Sequence, residues 1–301
     1  MAKRKTSPTL RRIQGRLIVA MIQAPLVLPY DTRMRAVGWL MSSVAAPLAG
    51  YRKRIRENLS HAVPDLPKAE VERLCRAVPA NTGRMLVEIS SGQEFIDRIA
   101  ATPMTGPGVA DLDTAKAEKR PIIVVSGHFG NFDAARCALA LRGHEIGALY
   151  RPVDDPYLDR AFHDALTAIA APVFPRGRKG LGQMLRFLRK GNALAILPDQ
   201  HVNRGAPLTF FGKTALTSLS AADMALKYNA LLVPVYGIRD GAGFDIIAES
   251  PIPHSDAETM MQAVNDSLEA RIRENMDQWL WIHRRWKPER QRKASAARIS
   301  P

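Results

Sequence analysis

The chain has 301 residues, 46% of them hydrophobic and 24% charged, which excludes intrinsic disorder and leaves room for one large domain or two modest ones around a buried core. The unusual figure is charge: 43 Lys and Arg against 29 Asp and Glu give +14, a balance that favours nucleic acid, an anionic membrane or an acidic partner. An aromatic content of 6% argues against a base-stacking surface, and two cysteines, Cys75 and Cys137, both in helical sequence, exclude a disulfide framework and read as buried small hydrophobes.

Residues 1–50 make a basic and apolar opening segment. Lys3, Arg4, Lys5, Arg11 and Arg12 lead into an uncharged stretch over 17–30. Gln23, Pro25 and Pro29 break this stretch before it reaches the about 20 apolar residues of a spanning helix. A second uncharged stretch, 36–50, ends against Arg52, Lys53, Arg54 and Arg56. A cleaved signal sequence, a globular helical hairpin, and an amphipathic or re-entrant anchor with basic flanks on anionic headgroups all fit this pattern. The membrane-associating reading is the one the flanking charge favours.

Over 51–110 the punctuation is helical, with interruptions expected at 58–61, 64–67 and 79–81 and a loop at 106–108. From residue 120 the pattern changes. Short apolar runs at 121–126, 145–150, 193–197, 231–236 and 244–248 alternate with helical candidates at about 132–142, 156–170, 178–190 and 217–229, followed by a long helix over about 256–285. This alternation over 111–290 predicts an α/β fold with a mostly parallel central sheet flanked by helices, and a ligand site at the carboxyl ends of its strands. Residues 291–301 read as a frayed basic tail.

At the end of the first clear strand stands Ser126-Gly127-His128-Phe129-Gly130-Asn131-Phe132-Asp133. On one continuous helix His128 and Asp133 would lie about 140° apart. They meet only if His128 occupies a turn before the helix, which Gly127 and Gly130 permit and which Asn131 closes as an N-cap. A carboxylate at Nδ1 would then fix the His128 tautomer and leave Nε2 as a general base. No Ser or Cys nucleophile is paired to it, since a Gly-x-Ser-x-Gly elbow is missing from this sequence. A histidine at a strand end beside a helix-start aspartate is the structural alternative.

Tyr150-Arg151-Pro152 and Leu197-Pro198-Asp199-Gln200 bring further polar residues to the same edge. Arg151 suits a phosphate or an oxyanion, and Asp199 could hold Arg151, as a structural ion pair or otherwise, or an acceptor hydroxyl. The run 176–190 has six cations and no acid, so Arg176, Arg178 and Lys179 suit an anion unless they form a solvated face. Phe210 and Phe211 sit in a predicted loop, facing either the core or a hydrocarbon phase. The interleaved Trp279, Trp281 and Trp286 with His283, Arg284, Arg285 and Lys287 read as a membrane-interface belt, with nucleic acid as the rival, although no nucleic-acid-binding signature accompanies them. The seven His lack metal-ligand spacing, and His144, His163 and His254 read as surface or loop positions.

In this order, the Gly-His-Phe-Gly-Asn-Phe-Asp block, Tyr-Arg-Pro, Arg-Gly-x-Lys-Gly, Pro-Asp-Gln and Trp-x-His-Arg-Arg-Trp-Lys resemble the lipid A biosynthesis late acyltransferases, the lauroyl and myristoyl transferases, a branch of the lysophospholipid acyltransferase superfamily. The resemblance covers most of the chain. It implies an enzyme at the cytoplasmic face of the bacterial inner membrane that moves a fatty acyl group to a lipid hydroxyl. The donor would be an acyl-carrier-protein thioester or acyl-CoA as cosubstrate, with no bound cofactor. The acceptor would be an anionic lipid, most simply a lipid A precursor, with a lysophospholipid or lyso-aminolipid as the other possibility. Carried over, His128 is the base, Asp133 its partner, and Asn131, Arg151, Arg176, Lys179, Asp199 and Gln200 contact substrates. Many members have Glu at the position of Asp133 and Trp at that of Phe132. A basic membrane-surface binding protein without catalysis remains the non-enzyme alternative.

Overall fold

A computed structural model of the chain describes residues 8–287. The predicted basic start at Lys3, Arg4 and Lys5 and the tail 291–301 lie outside the described residues. The chain opens with α1 (Pro8–Gln23) and α2 (Tyr30–Leu40), which a π-helical turn joins to the short α3 (Ala46–Leu48). Then come α4 (Tyr51–Ala62), α5 (Lys68–Ile89), α6 (Gln93–Ala100), β1 (Met104–Thr105) and α7 (Val109–Ala117). The α/β part alternates β2 (Ile122–Val125), α8 (Phe132–Leu141), β3 (Ile146–Tyr150), α9 (Pro156–Ile169), β4 (Val173–Pro175), α10 (Arg178–Leu188) and β5 (Ala193–Ile196). A hairpin of β6 (Ala206–Phe210) and β7 (Lys213–Thr217), then α11 (Ser220–Tyr228), β8 (Leu231–Asp240), β9 (Gly243–Ala248) and α12 (Ala257–Glu274), complete it.

Seven strands form one sheet in the order β1-β9-β8-β2-β5-β3-β4, parallel except for the β8–β9 pair. The four residues of β2, Ile-Ile-Val-Val, are buried on both faces, as a central parallel strand requires. Ile122 and Val124 point into a core shared with α6, α7, α8 and α9, and Ile123 and Val125 into one shared with α10, α11 and α12. The predicted mostly parallel sheet between helical layers is therefore the architecture of the molecule.

Several expectations need correction. Pro79 does not break α5, which runs unbroken from Lys68 to Ile89, and 58–61 lies inside α4 or at its end rather than in a break. The long final helix stops at Glu274, because Asn275 leaves helical geometry and a 3-10 turn follows at Met276–Gln278. Phe210 and Phe211 belong to the β6–β7 hairpin and are buried. Trp279, Trp281 and Trp286 are not an interface belt: all three are buried, stacked or edge-on against one another and against Phe210 and Phe211. The Trp279 and Trp281 ring centroids are 4.7 Å apart at 87°, an edge-to-face pairing that adds to their area burial. Cys75 and Cys137 are buried and unpaired with each other, as expected. His144 is buried, not a surface position, and burial, with Lys116 nearby, lowers its pKa to about 4.

At the N-terminus α1 packs on α9, where a Cβ at Gly15 would lie 2.2 Å from Asp155 Oδ1, and Tyr30, Met34 and Val37 of α2 pack against Val87 of α5. Along this N-terminal segment Leu17, Met21, Val27, Trp39 and Leu48 face outward. Among the described residues no helix is long and apolar enough to cross a membrane.

The two kinds of tryptophan give a direct test. Trp281→Ala is expected to cost roughly 3–5 kcal/mol of stability in chemical denaturation, whereas Trp39→Ala, at a position 63% exposed, should stay within about 0.5 kcal/mol of wild type. Equal effects would contradict the packing described.

Candidate active site

The site grows from the strand register. Val125 of β2 is paired with Ile196 of β5, so residues three positions beyond each strand end, His128 and Asp199, emerge side by side. The loop between β2 and α8 is then clamped. The backbone N–H of Asn131 donates to Gly237 O of β8 (2.8 Å), that of Gly130 to Gln278 O (3.0 Å), and that of Leu280 to His128 O (3.0 Å). Gly130 has φ +55°, and a Cβ there would lie 2.0 Å from Gly237 O, so this turn needs glycine. As predicted, Asn131 caps α8, its side chain accepting the Asp133 backbone N–H at 3.1 Å. Its amide donates to the buried Glu88 at 2.9 Å. Asn131 is fully buried; it shapes the loop rather than presenting a side chain to a substrate.

His128 Nδ1 is 2.8 Å from Asp199 Oδ1. Asp199 Oδ2 accepts the backbone N–H of His128 at 2.8 Å and the indole N–H of Trp279 at 2.9 Å. With a carboxylate at Nδ1, that nitrogen carries the proton and Nε2 keeps its lone pair. The Gln200 amide nitrogen, 3.2 Å from Nε2, is placed to donate to it. The Asp199 side chain is 2% exposed and that of His128 24%, so the acid is sheltered and the imidazole reachable. Burial works to lower the His128 pKa, but the charge and hydrogen bond of Asp199 outweigh it and the pKa rises above its ordinary value. For Asp199, burial opposes ionisation and is overcome by His128 and by the Trp279 hydrogen bond, so its pKa falls.

This geometry corrects the expected pairing of His128 with Asp133. Asp133 and Arg136 are i,i+3 neighbours on one face of α8, and Arg136 Nε donates to Asp133 Oδ1 at 2.6 Å. Arg136 also donates to Leu166 O (2.8 Å) and Ala170 O (2.7 Å) at the carboxyl end of α9. The Asp133 carboxylate is thus drawn along the helix and ties α8 to α9. Its Oδ2 is buried without a hydrogen-bond partner. Nor does Asp199 hold Arg151, since His128 and Trp279 take its oxygens. Ser126 Oγ is buried with no hydrogen-bond partner, and is not joined to His128.

His128 opens onto a cavity of about 350 Å³ between β2, β3 and β5 and helices α8 and α9. Val124, Ala135, Ala148, Leu166, Ala195 and Leu197 give it apolar walls, and Arg151 and Gln200 join His128 among its polar groups. Phe162 lines this cavity and also a second, of about 250 Å³, bounded by Val19, Ile22, Leu86 and Leu158. Arg151 and Arg176 come next to each other because Tyr150 of β3 pairs with Pro175 of β4, and the Arg176 N–H donates to Tyr150 O at 2.8 Å. Both side chains are exposed, as is Lys179 in the first turn of α10. Among the described residues no group of three or more His, Cys, Asp and Glu is arranged to hold a metal ion.

The support from Trp279, Gln278 and Glu88 was not visible as such in the sequence. One signal was present: Trp279 and Trp281 are two apart, a spacing that puts both on one side of an extended chain rather than on a helical face. Phe129 indeed forms a β-bridge with Trp279.

A family model described as bacterial lipid A biosynthesis acyltransferase matches residues 1–288. The chain is 26% identical over 269 residues to the lipid A biosynthesis lauroyltransferase of Escherichia coli (strain K12), covering 86% of this chain and 87% of that protein. It is 26% identical over 291 residues to a lipid A biosynthesis acyltransferase of Haemophilus influenzae, covering 89% and 88%. Against the lipid A biosynthesis palmitoleoyltransferase of Escherichia coli the identity is 25% over 275 residues, covering 86% of each.

The electrostatics make a measurable statement. In an NMR titration the His128 imidazole is expected to take its proton above pH 6.5, and in Asp199→Asn, where the raising charge is gone and burial remains, below it. An unchanged midpoint in the variant would contradict the pairing.

Proposed function

The chain belongs to the bacterial lipid A biosynthesis acyltransferases, and from that premise we propose that it transfers a fatty acyl group from an acyl-carrier-protein or CoA thioester to a hydroxyl of a lipid A precursor, with His128 as general base. The observation that carries the reading is the reachable Nε2 of His128, backed by Asp199 at Nδ1 and opening on an apolar cavity. In the proposed reaction Nε2 accepts the proton of the acceptor hydroxyl while the oxygen attacks the thioester carbonyl carbon. The tetrahedral intermediate then expels the thiolate, which recovers the proton from the imidazolium. Asp199 orients the ring and stabilises its cationic form throughout. Among the described residues no Ser or Cys side chain is hydrogen-bonded to the His128 ring, which supports a direct transfer without an acyl-enzyme.

The apolar cavity is proposed to take the acyl chain, which puts the thioester at its mouth beside His128. Gln200 gives up its contact with Nε2 to the incoming hydroxyl. Arg151, Arg176 and Lys179, exposed beyond β3 and β4, are proposed to meet anionic groups of donor or acceptor. The exposed apolar residues of α1 to α3 and the net charge of +14 support work at the cytoplasmic face of the inner membrane, with the N-terminal helices lying on the bilayer.

Purified His128→Ala is expected to fold and to lose transfer by about 10²–10⁴-fold or more in a thioester-consumption assay with a lipid A precursor; turnover near wild type would refute the base assignment. Removing the residue that the two cavities share should lengthen the acyl site. Phe162→Ala is expected to shift relative kcat/KM toward longer acyl donors by about tenfold or more, the order one methylene contact can supply. A chain-length profile identical to wild type would show that the hydrocarbon lies elsewhere.

A further inference from the structure

A groove of about 590 Å³ runs between α2 and α5, along Ala69 to Arg84 of the latter, with no lining residue in common with the cavity at His128. Its walls carry four guanidinium groups, from Arg35, Arg73, Arg76 and Arg84, against one carboxylate, Glu72. Glu72 is already engaged by Arg56 of α4 at 2.7 and 2.8 Å, and Arg73 by Glu70 at 2.7 Å. Arg84 donates to Asn81 Oδ1 at 2.9 Å. Among the described residues Arg35 and Arg76 make no side-chain hydrogen bond and no ion pair within 4 Å, and Glu72, whose charge reaches Arg76, is shared with Arg56 and Arg52.

Arg84 reaches across to α2, where its Nε donates to Met34 O at 3.3 Å and its guanidinium lies within 2.9 Å of where a Cβ at Gly38 would be. Burial, and next the like charge of Arg239, depress the Arg84 pKa, with Glu88 and Asp277 opposing. Several cations gathered with too few acids is an arrangement that an anion relieves.

The groove also has an apolar rim. Trp39 lines it while 63% exposed, and Val44 and Leu48, just beyond α2, face outward as well. Cations that end beside an exposed indole and aliphatic side chains are suited to the boundary between headgroups and hydrocarbon, which an acidic protein surface would not need.

We propose that this groove holds the phosphate of a membrane lipid headgroup between Arg35, Arg76 and Arg84, with Trp39 resting at headgroup depth. The site is separate from the acyl-transfer cavity, and its occupation does not depend on catalysis.

Trp39 supplies the readout, because the other three of the four tryptophans are buried. The full chain is titrated with phosphatidylcholine vesicles with and without phosphatidylglycerol, following tryptophan emission and co-sedimentation. A blue shift and binding are expected with the anionic vesicles. Arg35→Ala/Arg76→Ala should weaken binding about tenfold or more, while Arg35→Lys/Arg76→Lys, which keeps the charge, retains most of it. Lys116→Ala/Lys190→Ala removes two charges near the amino ends of β2 and β5, on the opposite edge of the sheet, and should change affinity within about twofold. Equal losses in the two alanine variants would overturn the proposal by showing that only net charge matters. It is also overturned if inorganic phosphate alone reproduces the blue shift, or if vesicles leave Trp39 unchanged while an acidic carrier protein shifts it.

Discussion

The Asp199 carboxylate is the constraint on which the rest of the site depends. It is buried, so its charge persists only because three donors converge on it: the ring and backbone nitrogens of His128 and the indole of Trp279. Each comes from a different requirement of the fold. The β2–β5 register brings His128 alongside, the turn through Gly127 and Gly130 aims its backbone N–H, and the aromatic cluster fixes Trp279. Removing one such partner from a buried carboxylate costs about 1–3 kcal/mol. The aromatic packing and the His128 ring are therefore linked through one carboxylate, Trp279 holding Oδ2 and Nδ1 holding Oδ1.

The sheet arranges the polar groups in a row. Along the order β2, β5, β3, β4 the carboxyl ends present His128, then Asp199 and Gln200, then Arg151, then Arg176 with Lys179 just beyond. The His128 imidazole stands at one end of this row and the exposed cations at the other, with His128 and Arg151 both lining the apolar cavity. The acyl transfer proposed above needs such a separation, with the reacting carbonyl at the imidazole, the hydrocarbon in the cavity and the charged groups held to one side. The N-terminal helices add an apolar outer surface, and Glu88 connects them to this row, accepting from Tyr30 of α2 at 2.8 Å and from Asn131 of the loop between β2 and α8.

Much of this was legible in the residues. The apolar runs at 121–126, 145–150, 193–197, 231–236 and 244–248 became β2, β3, β5, β8 and β9, because short apolar runs bounded by turn residues suit the strands of a helix-covered sheet. The turn before α8 and the Asn131 cap were readable because Gly and Asn mark local backbone geometry. The partner of His128 was not. Asp133 lies close in sequence, but Arg136 one turn on competes for its carboxylate; Asp199 is far in sequence and arrives only through strand register, a non-local fact. The same reason explains the tryptophans. Interleaved with cations they look like an interface in one dimension, and only the fold brings the β6–β7 hairpin, itself read as a loop, together with α4, α5, β8 and α12 into the apolar surface that buries them. Pro79 inside α5 shows the opposite failure, a local breaker overridden by packing on both sides of it.

The central claim, that Asp199 rather than Asp133 polarises the catalytic imidazole, is tested most directly by the pH dependence of kcat/KM in Asp199→Asn and Asp133→Asn compared with wild type. In the proposed mechanism neutral His128 is the active form, and its pKa is raised, so wild-type activity should fall as pH drops through a midpoint above 6.5. Asp199→Asn should lower the plateau by about 10²–10⁴-fold and move that midpoint to lower pH, while Asp133→Asn leaves the midpoint where it is. A midpoint that moves with Asp133 and not with Asp199 would contradict the account.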